Sequence, residues 1–261
     1  MLVDRQVVRQ AVRALGLGQQ PLCVHASFRS FGGVRGGPAA VVDGLLDEGC
    51  TVLVPTFSWG YAVPPPPGLR PARNGWPADR APDTAGIGRV YDPRSRDLDP
   101  DMGAVAAAIL ERPEHVRGQH PLCSFTAVGP QAQRLIAPQS AVQVYAPLDM
   151  LGQAGGSIVL MGVGLEALTL LHLAEQRAGR QLFWRWANDA AGRARAVAAG
   201  GCSDGFGRLA PVLDALTRET RVGMSRWRVV PRPPRARRRH SGNTDAPHHD
   251  ALRSGGVCTL R

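Results

Sequence analysis

The chain reads as an α/β protein, with a central sheet flanked by helices. Three observations predict this. Short apolar runs rich in Val, Ile and Leu alternate with segments of helical periodicity. Glycine and proline punctuate the joints between them. Residues 21–57 hold a complete strand–loop–helix–strand unit, the pattern of a parallel βαβ crossover.

Taken in order, residues 4–16 have helical spacing that stops near Gly16, and "PLCVHAS" (21–27) is a short apolar strand. "FRSFGGVRGG" is a glycine-rich loop. The next helix, "PAAVVDGLLDEG", has agreeing start and stop signals: Gly37 before Pro38, then Gly49 at the far end. "CTVLVPTF" (50–57) is the second strand. From Gly60 to about Asp101 the chain is proline-rich and predicts an irregular surface excursion, which either orders over a ligand or is a tolerated insertion. Helical pattern resumes over 101–113, "CSFTAVG" and "SIVLMGV" are strands, and 165–178 is a helix. "RARAVAA" reads as a further strand, "GFGRLAPVLDALTRET" (205–220) as the last helix, and "SRWRVVP" as a closing strand. Residues 1–230 therefore form one domain carrying the 60–101 excursion. Residues 231–261 have no apolar periodicity and are expected to be a disordered basic tail.

The 261 residues suffice for a substantial core. No apolar stretch approaches the ~20 residues that cross a bilayer. The N-terminus mixes charge with apolar residues and lacks the pattern of a secretory signal, so a cytoplasmic chain is expected and no membrane partner. The five cysteines are scattered and odd in number, with no CxxC pair. That argues against a disulfide framework or a zinc site, and most, Cys202 included, are expected to be small buried hydrophobes. The net charge of +10 comes from arginine alone, since the chain has no lysine. The tail carries seven Arg against two Asp, half of that excess. With no basic-aromatic module in the body, the charge reads as the composition of a GC-rich genome and not as a nucleic-acid footprint.

The sharpest chemical candidate lies in "TLLHLAE". His172 and Glu175 stand at i,i+3, on one helical face. A histidine in an apolar helix is either satisfied core or a proton acceptor working near neutral pH. With Thr169 as the cap, His172 falls in the first turn, where the helix dipole favours the neutral imidazole. Glu175 either orients that ring or pairs with Arg177 or Arg180. Elsewhere, "SFRSFGGVRGG" offers backbone amides ahead of a helix start, a geometry that holds anionic or carbonyl-rich groups but also describes an ordinary turn. Arg35 stands within reach of a phosphate on such a site.

Several spaced segments together carry a family resemblance: "VHASFRSFGGVRGG", "VPTF", "DMGAVA", "RGQHPLCSFTAVG", "MGVG…TLLHLAE" and "GGCSDGFGRL". From about residue 4 to about residue 230 the chain resembles the aminoglycoside 3-N-acetyltransferases, whose fold is distinct from the GNAT acetyltransferases. The resemblance implies an antibiotic N-acetyltransferase-like fold with a mixed central sheet. It also implies acetyl-CoA as co-substrate, no metal, and transfer of acetyl to the 3-amino group of the 2-deoxystreptamine ring. In that reading His172 is the catalytic base, Glu175 its partner, and Asp204 of "GCSDGF" steers the amine or the histidine; the plainer reading makes Asp204 a turn residue. Ser27, Phe28, Arg29, Ser30, Phe31, Gly32, Gly33 and Arg35 would meet the cofactor. Thr56, Asp101, His120 and Asp149 would meet the substrate, with Ser124 in the same wall and His25 structural. A polycationic amine needs an acidic pocket, and the excursion offers Asp79, Asp83, Asp92, Asp97, Asp99 and Asp101 among its arginines. Two other functions fit the same residues: acetylation of another amine metabolite, or a catalytically silent CoA- or ligand-binding relative.

Overall fold

The computed structural model describes residues 2–70, 75 and 83–230. The tail 231–261, with its expected disorder, and Arg73, Asp79 and Arg80 of the excursion lie outside the described residues. Asp4 opens α1 (Arg5–Ala14), its carboxylate accepting from the Val7 amide at 3.0 Å. Next come β1 (Pro21–Ala26), α2 (Gly37–Asp47) and β2 (Thr51–Pro55). They form the expected crossover, with β1 and β2 parallel and Pro21 opposite Thr51. The chain continues through α3 (Gly103–Leu110), β3 (Val116–Arg117), β4 (Phe125–Val128), α4 (Ala132–Ile136) and α5 (Ala146–Gln153). β5 (Ser157–Met161), α6 (Leu170–Arg177), β6 (Phe183–Asn188) and β7 (Ala194–Ala199) follow, then α7 (Ala210–Leu213), β8 (Arg218–Val222) and β9 (Ser225–Val230).

Seven strands make one sheet in the order β3-β4-β2-β1-β5-β9-β8, and β6 with β7 forms a separate hairpin. β1 is parallel to both β2 and β5, whereas β4 and β9 run antiparallel to their neighbours, so the sheet is mixed as expected. Strand periodicity splits the core into two layers. Leu22, Val24, Val52, Val54, Val159 and Met161 pack on one face against α1, α2 and α3. Cys23, Leu53, Ile158 and Leu160 face the other way, toward α4, α5, α6 and the β6–β7 hairpin. Each fully buried Leu or Ile here contributes about 1.5–3 kcal/mol of hydrophobic stabilisation.

Because β1, β2 and β5 are parallel, their carboxyl ends share one edge, where the loops leaving them converge. The register of β9 puts Val230 beside Ile158, at the edge where β5 begins. Among the described residues no helix is long and apolar enough to cross a membrane.

Two expectations are corrected. The single helix over 205–220 does not form: residues 206–216 break into 3-10 turns and the four-residue α7, and Arg218–Val222 is strand β8. Gly223, at φ 60°, turns β8 onto β9, which buries Val222 and Trp227, so tertiary pairing overrides the helical spacing. Cys202 is exposed instead of buried, because it falls in the turn after β7; Cys23, Cys50 and Cys123 are buried as expected. From Val63 to Asp99 the described residues hold no helix or strand. The returning arm is nonetheless tied down. Arg117, buried on β3, donates to the carbonyls of Thr56, Ser95 and Asp97 at 2.8, 2.6 and 2.8 Å.

Candidate active site

A cleft of about 380 Å³ opens at the carboxyl edge of β1, β2 and β5. Ala26 and Val163 line it where β1 and β5 end, Phe57 and Trp59 just beyond β2, and Met102 and Val105 around the start of α3. Its other side is built from Tyr145, Thr169, His172 and Gly200. Among the described residues, the charged side chains lining it are Asp101 and Glu166, both exposed. No arginine of the described residues lines it, on a chain of net charge +10.

His172 stands in the first turn of α6, its side chain 12% exposed. The Tyr145 ring stacks beside it at 6.0 Å and 13°, and Phe206 approaches to 4.7 Å. Gly200 permits this packing, since a Cβ there would strike the Tyr145 hydroxyl and lie 3.1 Å from His172 Cγ. Nδ1 lies 3.2 Å from Glu175 Oε2. A carboxylate only accepts, so Nδ1 carries the proton and the lone pair rests on Nε2, which has no hydrogen-bond partner among the described residues. Burial lowers the His172 pKa, and the hydrogen bond to Glu175 opposes that only in part. The result is a neutral, oriented imidazole on the cleft wall. Thr169 occupies the cap position but makes no side-chain cap bond; its backbone carbonyl accepts from the His172 amide, and the residue lines the cleft beside the ring.

Of the other sequence candidates, Glu175 and Asp101 come to the site directly. Glu175 satisfies both of its readings, one carboxylate oxygen on His172 and the other on Arg180. Asp204 is exposed in the turn before Phe206 and does not line the cleft; its neighbour Ser203 does. Thr56 is sealed in the core, its hydroxyl sharing hydrogen bonds with Ser124 and Thr126 at 3.1 and 2.8 Å. His120 is likewise fully buried: Nε2 donates to the Ala198 carbonyl at 2.7 Å, and Nδ1 accepts from the Cys123 amide at 2.9 Å. Burial pushes its pKa down to about 4. Asp149 pairs with Arg177 away from the cleft. His25, on β1, does line the cleft, and burial pushes it down to about 4 as well. Of the excursion's other acids, Asp97 accepts from Tyr61 and pairs with Arg89, Asp92 pairs with Arg94, and Asp99 accepts from the Trp59 amide at 3.1 Å.

The glycine-rich loop, residues 27–33, sits at the same edge but outside the cleft lining. The Ser27 amide donates to the Met161 carbonyl, Ser30 Oγ donates to the Ser27 carbonyl and shares a hydrogen bond with Ser225 Oγ, and Phe31 is buried edge-on to Trp227 at 6.1 Å. Gly32, at φ 77°, and Gly33, at φ 157°, make the turn. Arg29 and Arg35 are exposed and pair with no carboxylate among the described residues. Sequence reasoning missed Glu166, Tyr145, Gly200 and Thr169 as cleft residues. Glu166 had one available signal, an acid three positions ahead of Thr169; Tyr145 and Gly200 reach the site only through tertiary packing. Among the described residues no cluster of His, Cys, Asp and Glu is arranged to hold a metal ion.

A cleft at the carboxyl edge of a mixed sheet, with an oriented histidine on its wall, is a framework able to support proton transfer. The family model for aminoglycoside 3-N-acetyltransferase matches residues 23–233. Aminoglycoside N(3)-acetyltransferase VIII of Streptomyces fradiae is 35% identical over 188 residues, covering 67% of this chain and 62% of its own length. Aminoglycoside acetyltransferase AAC(3)-Xa superposes with a TM-score of 0.68 at 26% identity, covering 88% of each chain. AAC-IIIb, solved as a binary complex with CoASH, shares the fold at a TM-score of 0.70 and 23% identity, covering 88% of this chain and 92% of its own. The chain belongs to the aminoglycoside 3-N-acetyltransferase family. It matches a little over 60% of the length of the Streptomyces fradiae relative.

Proposed function

We propose that the chain is an acetyl-CoA-dependent N-acetyltransferase that acetylates the 3-amino group of the 2-deoxystreptamine ring of aminoglycosides, in the cytoplasm. One observation carries the reading. A histidine whose pKa burial lowers, its Nε2 without a hydrogen-bond partner among the described residues, lines a cleft whose charged side chains among those residues are both acidic, on a strongly basic chain. That combination suits a cationic amine that must lose a proton to react. The family and the CoASH complex of AAC-IIIb support the choice of co-substrate.

The amine nitrogen attacks the thioester carbonyl carbon. A C–N bond forms, the neutral amine's proton passes to His172 Nε2, and the C–S bond breaks to release the CoA thiolate, which takes that proton back from the imidazolium and regenerates the base. Glu175 holds Nδ1 and stabilises the imidazolium that develops. Asp101 and Glu166 draw the polycation in. Thr169 stands beside the base, placed to donate to the oxygen of the tetrahedral intermediate. Ser27, Phe28, Ser30, Phe31, Gly32 and Gly33 of the loop would hold the cofactor, and the exposed Arg29 and Arg35 would pair with its phosphates. Among the described residues Cys123 is the one thiol on the cleft wall, and burial pushes its pKa far up, so direct transfer is favoured over an acyl-cysteine intermediate. Turnover of kanamycin or gentamicin with acetyl-CoA tests the reading. His172→Ala is expected to lower kcat/KM by about 100-fold or more; undiminished turnover removes the base.

A further inference from the structure

Arg180 lies beyond the end of α6, and two features fold it back onto Glu175. Gly179, at φ 98°, reverses the chain after the helix. The Gly179 amide then donates to Gln176 at 3.0 Å and the Arg180 amide to the carbonyl of Glu175, also at 3.0 Å. This pair of bonds is a Schellman cap, which fixes the backbone of residue 180 beside residue 175. The guanidinium meets Glu175 Oε1 while Oε2 faces His172. Arg177 on the same helix is turned away, onto Asp149.

Resting on the proposed acetyl transfer, we propose that Arg180 is a positioning residue: it acts through Glu175, holding the carboxylate in the rotamer that fixes the Nδ1–H tautomer of His172. A partly exposed ion pair of this kind contributes little to stability, so its effect belongs at the reacting end of the chain His172–Glu175–Arg180. Left to itself, a glutamate on the surface of a short helix samples several rotamers. Pinned at one oxygen, it presents the other to the ring. Glu175 and Arg180 are the charged groups acting on His172. From the other elements packed against the ring come Tyr145, held neutral by burial and hydrogen-bonded by the Gly200 backbone, and the apolar Phe206. The two charges oppose each other, so Glu175 orients the ring while raising its basicity less than an unpaired carboxylate would.

The test combines nitrogen NMR of the His172 ring with a double-mutant cycle. In the unaltered chain the ring is expected as the Nδ1–H tautomer. Arg180→Ala should yield a tautomer mixture, and Arg180→Lys should retain the single form. With an aminoglycoside substrate, Arg180→Ala should lower kcat by about tenfold in the native background and leave it unchanged in Glu175→Gln, the non-additivity of residues acting as one unit. A fixed tautomer in Arg180→Ala overturns the proposal, as do losses that multiply in the double variant. Should the chain acetylate no amine, the proposed function fails while the tautomer measurement still decides the role of Arg180.

Discussion

A buried imidazole stays neutral at a pH where a free one is half protonated. Three such rings stand around this site, and their partners separate their tasks. His120 spends both nitrogens on backbone groups, so it is structural. His25 has only the Cys23 sulfur near Nε2, at 3.6 Å. His172 spends one nitrogen on Glu175 and keeps the other for the cleft. Its lowered pKa has a definite sign. The folded chain resists protonation, so the base form persists to lower pH than in an ordinary histidine. An NMR titration of the His172 ring is expected to give a midpoint below about 6.5; a midpoint at or above it would mean that Glu175 outweighs burial. The His172–Glu175 contact was legible in the sequence because i,i+3 spacing on a helix needs nothing from the rest of the fold, whereas the choice of His172 as base came from the family resemblance. The same local signal could not separate His120 from His172, since only tertiary structure decides which ring faces a cavity.

At the scale of elements, the site depends on one close approach. The end of β7 brings Gly200 against the Tyr145 and His172 rings, where no side chain fits. Gly200→Ala is expected to fold, because its backbone conformation suits any residue, but to lower kcat by about 10- to 100-fold by displacing the imidazole. Circular dichroism and turnover on the same preparation check both halves. Elements with local start and stop signals, such as α2 between Gly36 and Gly49, were readable in the sequence. The segment 205–220 was not. Its helical spacing is real, but Pro211 interrupts it, and the partner that makes 218–222 a strand is β9. The hairpin strand β6 was missed for a related reason: "FWRWAN" has no strong boundary residues, and its pairing with β7 supplies the order.

Across the whole molecule, charge is arranged against its own average. A chain of +10 repels a polycation, yet among the described residues its cleft presents as charged side chains only Asp101 and Glu166. Asp101→Asn and Glu166→Gln are each expected to raise KM for an aminoglycoside about two- to fivefold with kcat nearly unchanged, and the double variant should lose much of the salt dependence of KM. Unaltered KM values would place the amine elsewhere. The acidic pocket was foreseen in the sequence only as a list of aspartates along the excursion. Three of the six, Asp92, Asp97 and Asp99, turn out to serve arginines and backbone amides, and the second cleft acid comes from the turn after β5. The sheet register has a practical use as well. Since β9 ends with Val230 at the rim opposite the cleft, a reporter domain joined behind it would begin its path some way from the cleft mouth, making that junction the natural place to attach cargo without covering the opening.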